Sequence, residues 1–381
     1  MIPGVVLVTT ALVLSLVAGA KFVAPFVWIS AFWALALLVG IKFTSRSNVK
    51  ALWFNLAVLV IAFGAYETWL YIDQEPPSRY VSLDMAGETQ PLSAPDEVLG
   101  YAPVKGQSGS WKLYIGDDLV WDMSYSIDSL GLRSAPPDSG SSEIPCVLFF
   151  GGSFTLGSGV QDDETTAYQV GIKSGGRFRT YNFGHAGYGP HQMLAALEHG
   201  RVDDVIDCQP RYAVYQAVGG HVRRAAGLAP WDTNGPRFLL LPDGSVTQDG
   251  TFEPRHSALF TSLQEYLNRS LLYEKLGLFE PRPDDESVRL FVAIVDQARS
   301  VFEREYPGSE FHVIFWPNSD WVVPESLERM DALGLSVHLI SDVIPDYSAE
   351  DVRYRIPMDP HPNALAYSLV ADYVIQEILD D

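Results

Sequence analysis

Hydrophobic positions along the chain fall into two regimes. In the first, apolar residues run on almost without a break. Residues 2–20 hold two threonines and a serine among otherwise apolar side chains, and Lys21 interrupts. Residues 22–41 are apolar again, with Trp28 and Trp33, and residues 51–71 form a third run ending Glu67-Thr68-Trp69-Leu70-Tyr71. A helix needs about 20 apolar residues to cross a bilayer, so the pattern predicts three transmembrane helices within residues 1–72. In the second regime, short apolar runs alternate with stretches whose apolar residues recur every three to four positions. Residues 146–150, 178–183, 212–218, 311–316 and 336–340 read as strands, and 189–201, 286–305 and 325–333 as helices. A last helix follows Pro362, with Leu365, Leu369, Val370, Tyr373, Val374 and Ile378 at helical spacing. Strands alternating with helices predict an α/β fold with a mostly parallel sheet covered on both faces.

Residues 73–145 form a connector between the two regimes. Gln74-Glu75-Pro76-Pro77-Ser78 has linker composition. Residues 110–127 alternate around a Gly116-Asp117-Asp118 turn, which predicts a small hairpin. Residues 146–381 form the main domain, with an insertion at about 225–285. Within that insertion an Asp243-Gly244 turn between apolar runs predicts a second hairpin, and residues 254–284 are irregular or helical.

Charge sharpens this division. The first seventy-five residues carry Lys21, Lys42, Arg46 and Lys50 against Glu67, Asp73 and Glu75, a net of about +1, so against a total of −21 the remaining chain carries about −22. An acidic surface excludes nucleic acid as a partner, because phosphate neutralisation needs a basic face. It also leaves membrane attachment to the apolar segments. The basic loop from Lys42 to Lys50 is assigned to the cytoplasm by the positive-inside rule. The expected protein is therefore a multi-pass protein of the inner (cytoplasmic) membrane, its large domain on the periplasmic or extracellular side. Ala18-Gly19-Ala20 also fits a signal-peptide cleavage site, which would leave two spans. Cys146 and Cys208 read as buried free thiols in preference to a disulfide, and no Cys/His spacing suggests zinc.

Three strand ends carry candidate chemistry. The first strand stops at Gly151-Gly152-Ser153, which puts a nucleophilic side chain at the carboxyl edge of the sheet, where ligands bind in open α/β sheets. The second leads into Asn182-Phe183-Gly184-His185-Ala186-Gly187-Tyr188-Gly189, whose glycines free backbone N–H groups to face an anion. Its spacing is not the dinucleotide fingerprint, so NAD is rejected. The third ends in Gly219-Gly220-His221. A serine nucleophile needs a base, and Asp359-Pro360-His361-Pro362 supplies a histidine and an orienting carboxylate before the last helix. His312 and His338, inside strands, read as structural. The G-x-S-x-G elbow of α/β-hydrolases lacks its last glycine here.

These stretches resemble the SGNH (GDSL-type) hydrolase superfamily over roughly residues 146 to 378. The resemblance implies a three-layer, flavodoxin-like domain with a five-stranded sheet. It implies Ser153 as nucleophile, His361 as general base and Asp359 as its orienting acid. Gly187, with the Ser153 amide, is the implied oxyanion donor. Two positions depart from the family pattern: Gly152 stands where the family has Asp, and His221 where it has the oxyanion Asn. His221 can donate through a ring nitrogen, or the pocket can rest on the two amides. The Asp359–His361 spacing is also one residue shorter than the family's more frequent D-x-x-H; polysaccharide-modifying members share this D-x-H spacing. The expected activity is hydrolysis of an acyl ester on an acylated, O-acetylated envelope glycan or lipid, without metal or cofactor. The alternatives are O-acetyl transfer to an exported polysaccharide, with assembly partners that deliver the acyl group, and a catalytically silent glycan-binding scaffold.

Overall fold

The computed structural model describes residues 25–73, 79–84, 93–115, 118–137, 143–252, 267, 270–276, 282–316, 321–347 and 351–379. The predicted span over residues 2–20 lies outside them. The chain divides into two compact units: Met1–Pro77 with Pro254–Glu280, and Ser78–Glu253 with Pro281–Asp381.

In the first unit, helix α1 (Pro25–Phe43) and helix α2 (Ser47–Asp73) pack side by side. Both are long and apolar enough to cross a membrane. A Cβ on Gly64 would lie 2.6 Å from Ser30 Cβ, so the small residue lets the two backbones approach closely. Glu67 is buried in α2. It accepts hydrogen bonds from Ser270 Oγ and from the amides of Leu271 (3.1 Å) and Leu272 (3.0 Å). Part of the sequence insertion, the short helix Leu271–Leu276, is thus capped by a carboxylate from α2.

In the second unit the five-stranded sheet comprises β6 (Cys146–Gly151), β7 (Arg179–Asn182), β8 (Pro210–Val218), β11 (Glu310–Trp316) and β12 (Ser336–Leu339), in the order β12-β11-β8-β6-β7. Every neighbouring pair is parallel. The expected five-stranded sheet is therefore present. Alternate residues build two cores, as the two-residue period of a strand requires. Leu148, Phe150, Ala213, Tyr215, Val313 and Phe315 pack against helices α3 (Pro190–Glu198) and α4 (Asp285–Glu305). Val147, Phe149, Tyr212, Val214, Ile314 and Trp316 face α5 (Ala364–Tyr373) on the other side. Burial on both faces is why these strands read as unbroken apolar runs. The second strand in sequence lies on one side of β6 and the third on the other, so the switch point of the topology falls at the end of β6.

The connector folds onto this domain. Strands β1 (Arg79–Asp84), β4 (Ser108–Ile115) and β5 (Asp118–Ser126) form an antiparallel sheet. Trp111, Trp121, Met123 and Tyr125 share a core with Leu156 and Ile356. Arg133 is fully buried and donates to Asp162 Oδ1 (2.7 Å) and to the carbonyls of Ser124, Leu156, Gly157 and Val160. Two short pairs remain: β2 (Ser93–Asp96) with β3 (Gly100–Pro103), and the inserted hairpin of β9 (Pro236–Leu240) and β10 (Val246–Thr251).

The preference for free thiols is corrected: Cys146 and Cys208 form a disulfide, with Cα atoms 6.0 Å apart. The reason is strand pairing. Cys208 lies two residues before β8, Cys146 opens β6, and the Cys146 amide donates to the Gln209 carbonyl at 3.0 Å.

Candidate active site

The end of β6 is built for a sharp turn. Gly151 has φ 145, a conformation that disfavours side chains, and a Cβ there would fall 2.3 Å from Thr155 Oγ1. Gly152 has no room for a side chain. Its Cβ position lies 2.6 Å from Arg224 Nη1, 2.9 Å from Tyr188 O and 3.0 Å from His221 Nε2. Ser153 follows at once and opens the short helix Ser153–Leu156.

Ser153 Oγ lies 2.8 Å from His361 Nε2. The other ring nitrogen, Nδ1, is hydrogen-bonded to Asp359 Oδ1, which also accepts the His361 amide at 2.9 Å. The loop that makes this contact is strained: Met358 has φ 63, the single non-glycine residue with positive φ among the described residues. Asn363 then caps α5, accepting from the Ala366 amide at 3.1 Å. Asp359 is buried, and its second oxygen accepts from Trp121 Nε1 at 3.4 Å. Burial alone would raise the Asp359 carboxyl, but the hydrogen bonds and charge of His361 outweigh it and hold the group below the usual carboxylate value. Phe154 packs against the His361 ring, with centroids 5.2 Å apart. Hydroxyl, imidazole and carboxylate thus form one continuous chain, able to move a proton off Ser153 as its oxygen attacks an electrophile.

The second stretch is held against the first by Asn182. Its Nδ2 donates to Thr155 O (2.9 Å), and its Oδ1 accepts from the Gly184 amide (3.0 Å). Gly187 has φ 83, and its Cβ position lies 2.6 Å from Tyr101 Oη and 2.7 Å from Trp231 Nε1. The amides of Ser153 and Gly187 donate to no group among the described residues. His221 is buried in the first turn of the helix Gly220–Ala225, with Nδ1 2.6 Å from Tyr215 Oη. Arg224, three residues on, donates from Nη1 to Tyr188 O at 2.6 Å. Its guanidinium lies 5.8 Å from the ring centre of Trp231, a half-exposed side chain.

The sequence reading therefore names Ser153, His361 and Asp359, which touch one another, and His221, which reaches the flank of Gly152. It missed Trp121, Tyr215 and Arg224. Arg224 was accessible as the i+3 neighbour of His221 on a helix face, whereas Trp121 and Tyr215 carry no local signal. His312 and His338 stand where strands were expected, with ring nitrogens 3.0 Å apart on paired β11 and β12. His185 is buried, its Nε2 2.8 Å from Ser93 Oγ. His191, also buried, pairs with Asp232 Oδ2 at 2.7 Å. Among the described residues no group of three or more His, Cys, Asp or Glu could hold a metal ion.

No family model matches the chain, and no curated protein matches it. Solved structures do. An acetyl xylan esterase from the rumen bacterium Butyrivibrio proteoclasticus aligns with a TM-score of 0.36 and 11% identity, over 80% of this chain and 84% of that one. A carbohydrate esterase aligns with a TM-score of 0.35 and 11% identity, over 80% and 98%. A lipolytic protein of the G-D-S-L family from Desulfitobacterium hafniense aligns at 0.32 and 11%, over 60% and 97%. Likeness at this level carries no chemistry from those proteins to this one.

Proposed function

We propose that the chain is a serine acyl-ester hydrolase of the SGNH type, held at a membrane by its apolar helices. It would act on an acylated, O-acetylated envelope glycan or lipid. The observation that carries the chemistry is the unbroken contact Ser153–His361–Asp359 at the topological switch point. In the first half-reaction Ser153 Oγ bonds to the ester carbonyl carbon while His361 Nε2 takes the hydroxyl proton. Asp359 accepts from Nδ1–H and steadies the imidazolium. The carbonyl oxygen becomes an oxyanion facing the unspent amides of Ser153 and Gly187. Its collapse expels the alcohol, which leaves with the proton from His361. In the second half-reaction water gives a proton to His361 as its oxygen bonds to the acyl carbon. Collapse breaks the bond to Ser153 Oγ, which takes the proton back from His361 as the acid leaves.

O-Acyl transfer uses the same acyl-enzyme, with a sugar hydroxyl in place of water. Membrane helices, together with the outward orientation expected from the basic loop, support an exported substrate for either outcome. The silent-scaffold reading draws on the absent oxyanion Asn. A histidine in that place with a ring nitrogen against Gly152 weighs against it.

The test is hydrolysis of p-nitrophenyl acetate by the full chain in detergent, beside Ser153→Ala. The expected loss of turnover is about a thousandfold or more. Equal rates from two folded proteins would sink the hydrolase reading. Product analysis with an acetylated glycan and an acceptor sugar then separates hydrolysis from transfer.

A further inference from the structure

Two of the departures from the family pattern, Gly152 and His221, meet in space. The volume a side chain on Gly152 would need is occupied by His221 Nε2 and Arg224 Nη1. An Asp there would have to displace both. The glycine is required by its neighbours, because a Cβ there would also lie 2.9 Å from the Tyr188 carbonyl oxygen.

The proton on His221 can be placed. Tyr215 and His221 are both buried, and among the described residues the only hydrogen bond their side chains make is the one between them. Burial raises the Tyr215 hydroxyl well above the ordinary tyrosine value, so it keeps its proton. Burial, reinforced by the Arg224 cation and by His191, holds His221 well below the ordinary histidine value, so the ring is neutral. The Tyr215 hydroxyl has no other acceptor, and leaving a buried donor unmet is costly. Its proton therefore goes to His221 Nδ1. A neutral ring that accepts at Nδ1 carries its own proton at Nε2. That N–H has no partner among the described residues and sits against the residue before the nucleophile.

We propose that Tyr215 is a positioning residue that locks His221 in the Nε2–H tautomer, making His221 a third oxyanion donor in place of the family's asparagine. This rests on the hydrolase reading above. The arrangement needs Gly152, because the donor reaches the site across the space a side chain would fill. Arg224 contributes a fixed positive charge on the same flank and keeps His221 from protonating.

The test is a mutant cycle on the full chain in detergent, with p-nitrophenyl acetate as substrate. Replacing His221 with Ala should lower kcat about 10²–10³-fold with KM nearly unchanged, the loss typical of one oxyanion donor. Tyr215→Phe should lower kcat by about tenfold, the scale of one buried hydrogen bond. In the His221→Ala background the Tyr215 substitution should cost nothing further. A Tyr215→Phe loss of equal size in both backgrounds makes the tyrosine merely structural and overturns the proposal. Should Tyr215→Phe fail to fold, His221→Ala and His221→Asn decide. Asparagine restoring part of the kcat lost in the alanine variant supports the donor role, and an alanine variant with undiminished kcat overturns it. Turnover that does not depend on Ser153 overturns the hydrolase reading itself. Ser153-dependent turnover that survives His221→Ala unchanged overturns only the donor role.

Discussion

At the scale of single residues, the buried histidines give the molecule a definite response to acid. His185 is buried beside Ser93, and burial pulls its value down to about 4 from the ordinary 6.5. Unfolded, it would bind a proton near 6.5; folded, it resists until about 4. Stability from this group is therefore fully present above pH 6.5 and falls progressively between 6.5 and 4, by on the order of 3 kcal/mol. Urea midpoints measured across that window should decline with acid, and His185→Gln should flatten the decline. A variant slope equal to the wild-type slope would remove His185 as a cause. The residue scale also shows what a single sequence can and cannot reveal. Asp359 and His361 are two positions apart, so their pairing is legible as a local motif. Trp121 approaches the same carboxylate from 238 residues away. Nothing in its own strand distinguishes it from Trp111, a core residue. Tyr215 is hidden for another reason: in an apolar strand run a tyrosine reads as packing, and its hydroxyl matters only once His221 is placed opposite.

At the scale of elements, parallel strands were legible because burial on both faces leaves unbroken apolar runs, and the turns at their ends carry glycines for steric reasons. Pairing between elements was not. The disulfide follows from β6 and β8 being neighbours, a fact of topology rather than pattern. It closes a 62-residue separation, for which loop entropy suggests a contribution on the order of 4 kcal/mol. Glu67 is the sharper case. In sequence it is a charge near the end of an apolar run; in the structure its carboxylate caps the helix Leu271–Leu276. Glu67→Ala should leave the Ser270 hydroxyl and two amides unmet and lower the thermal stability of the detergent-solubilised chain. A cost of about 1–3 kcal/mol is expected, as for removing one partner of a buried hydrogen bond. Increased proteolysis within residues 254–280 should accompany it. An unchanged melting profile and digestion pattern would show that the cap contributes nothing.

At the scale of the whole molecule, composition is split between an apolar pair of helices and a strongly acidic remainder. Leu52, Leu59 and Ile61 on α2 are all at least half exposed, an arrangement that is costly in water and favourable in lipid. An acidic surface gains nothing from anionic head groups, so attachment through these helices should be insensitive to salt. We expect the chain to stay with the membrane fraction in high salt and in alkaline carbonate, and to be released by detergent. Release by salt alone would assign the attachment to surface charge instead.

Arg133 has a practical consequence. A protein chemist seeking the smallest active fragment would naturally cut just before Cys146, where the repeating strand–helix pattern starts. That cut discards the guanidinium that gathers the carbonyls of Leu156, Gly157 and Val160, the segment that directly follows Ser153. It also discards the indole beside Asp359. Such a fragment would contain Ser153, His361 and Asp359 yet lack the brace that keeps the loop after Ser153 in register. The shortest cut that respects the molecule lies upstream of β1, near Ser78.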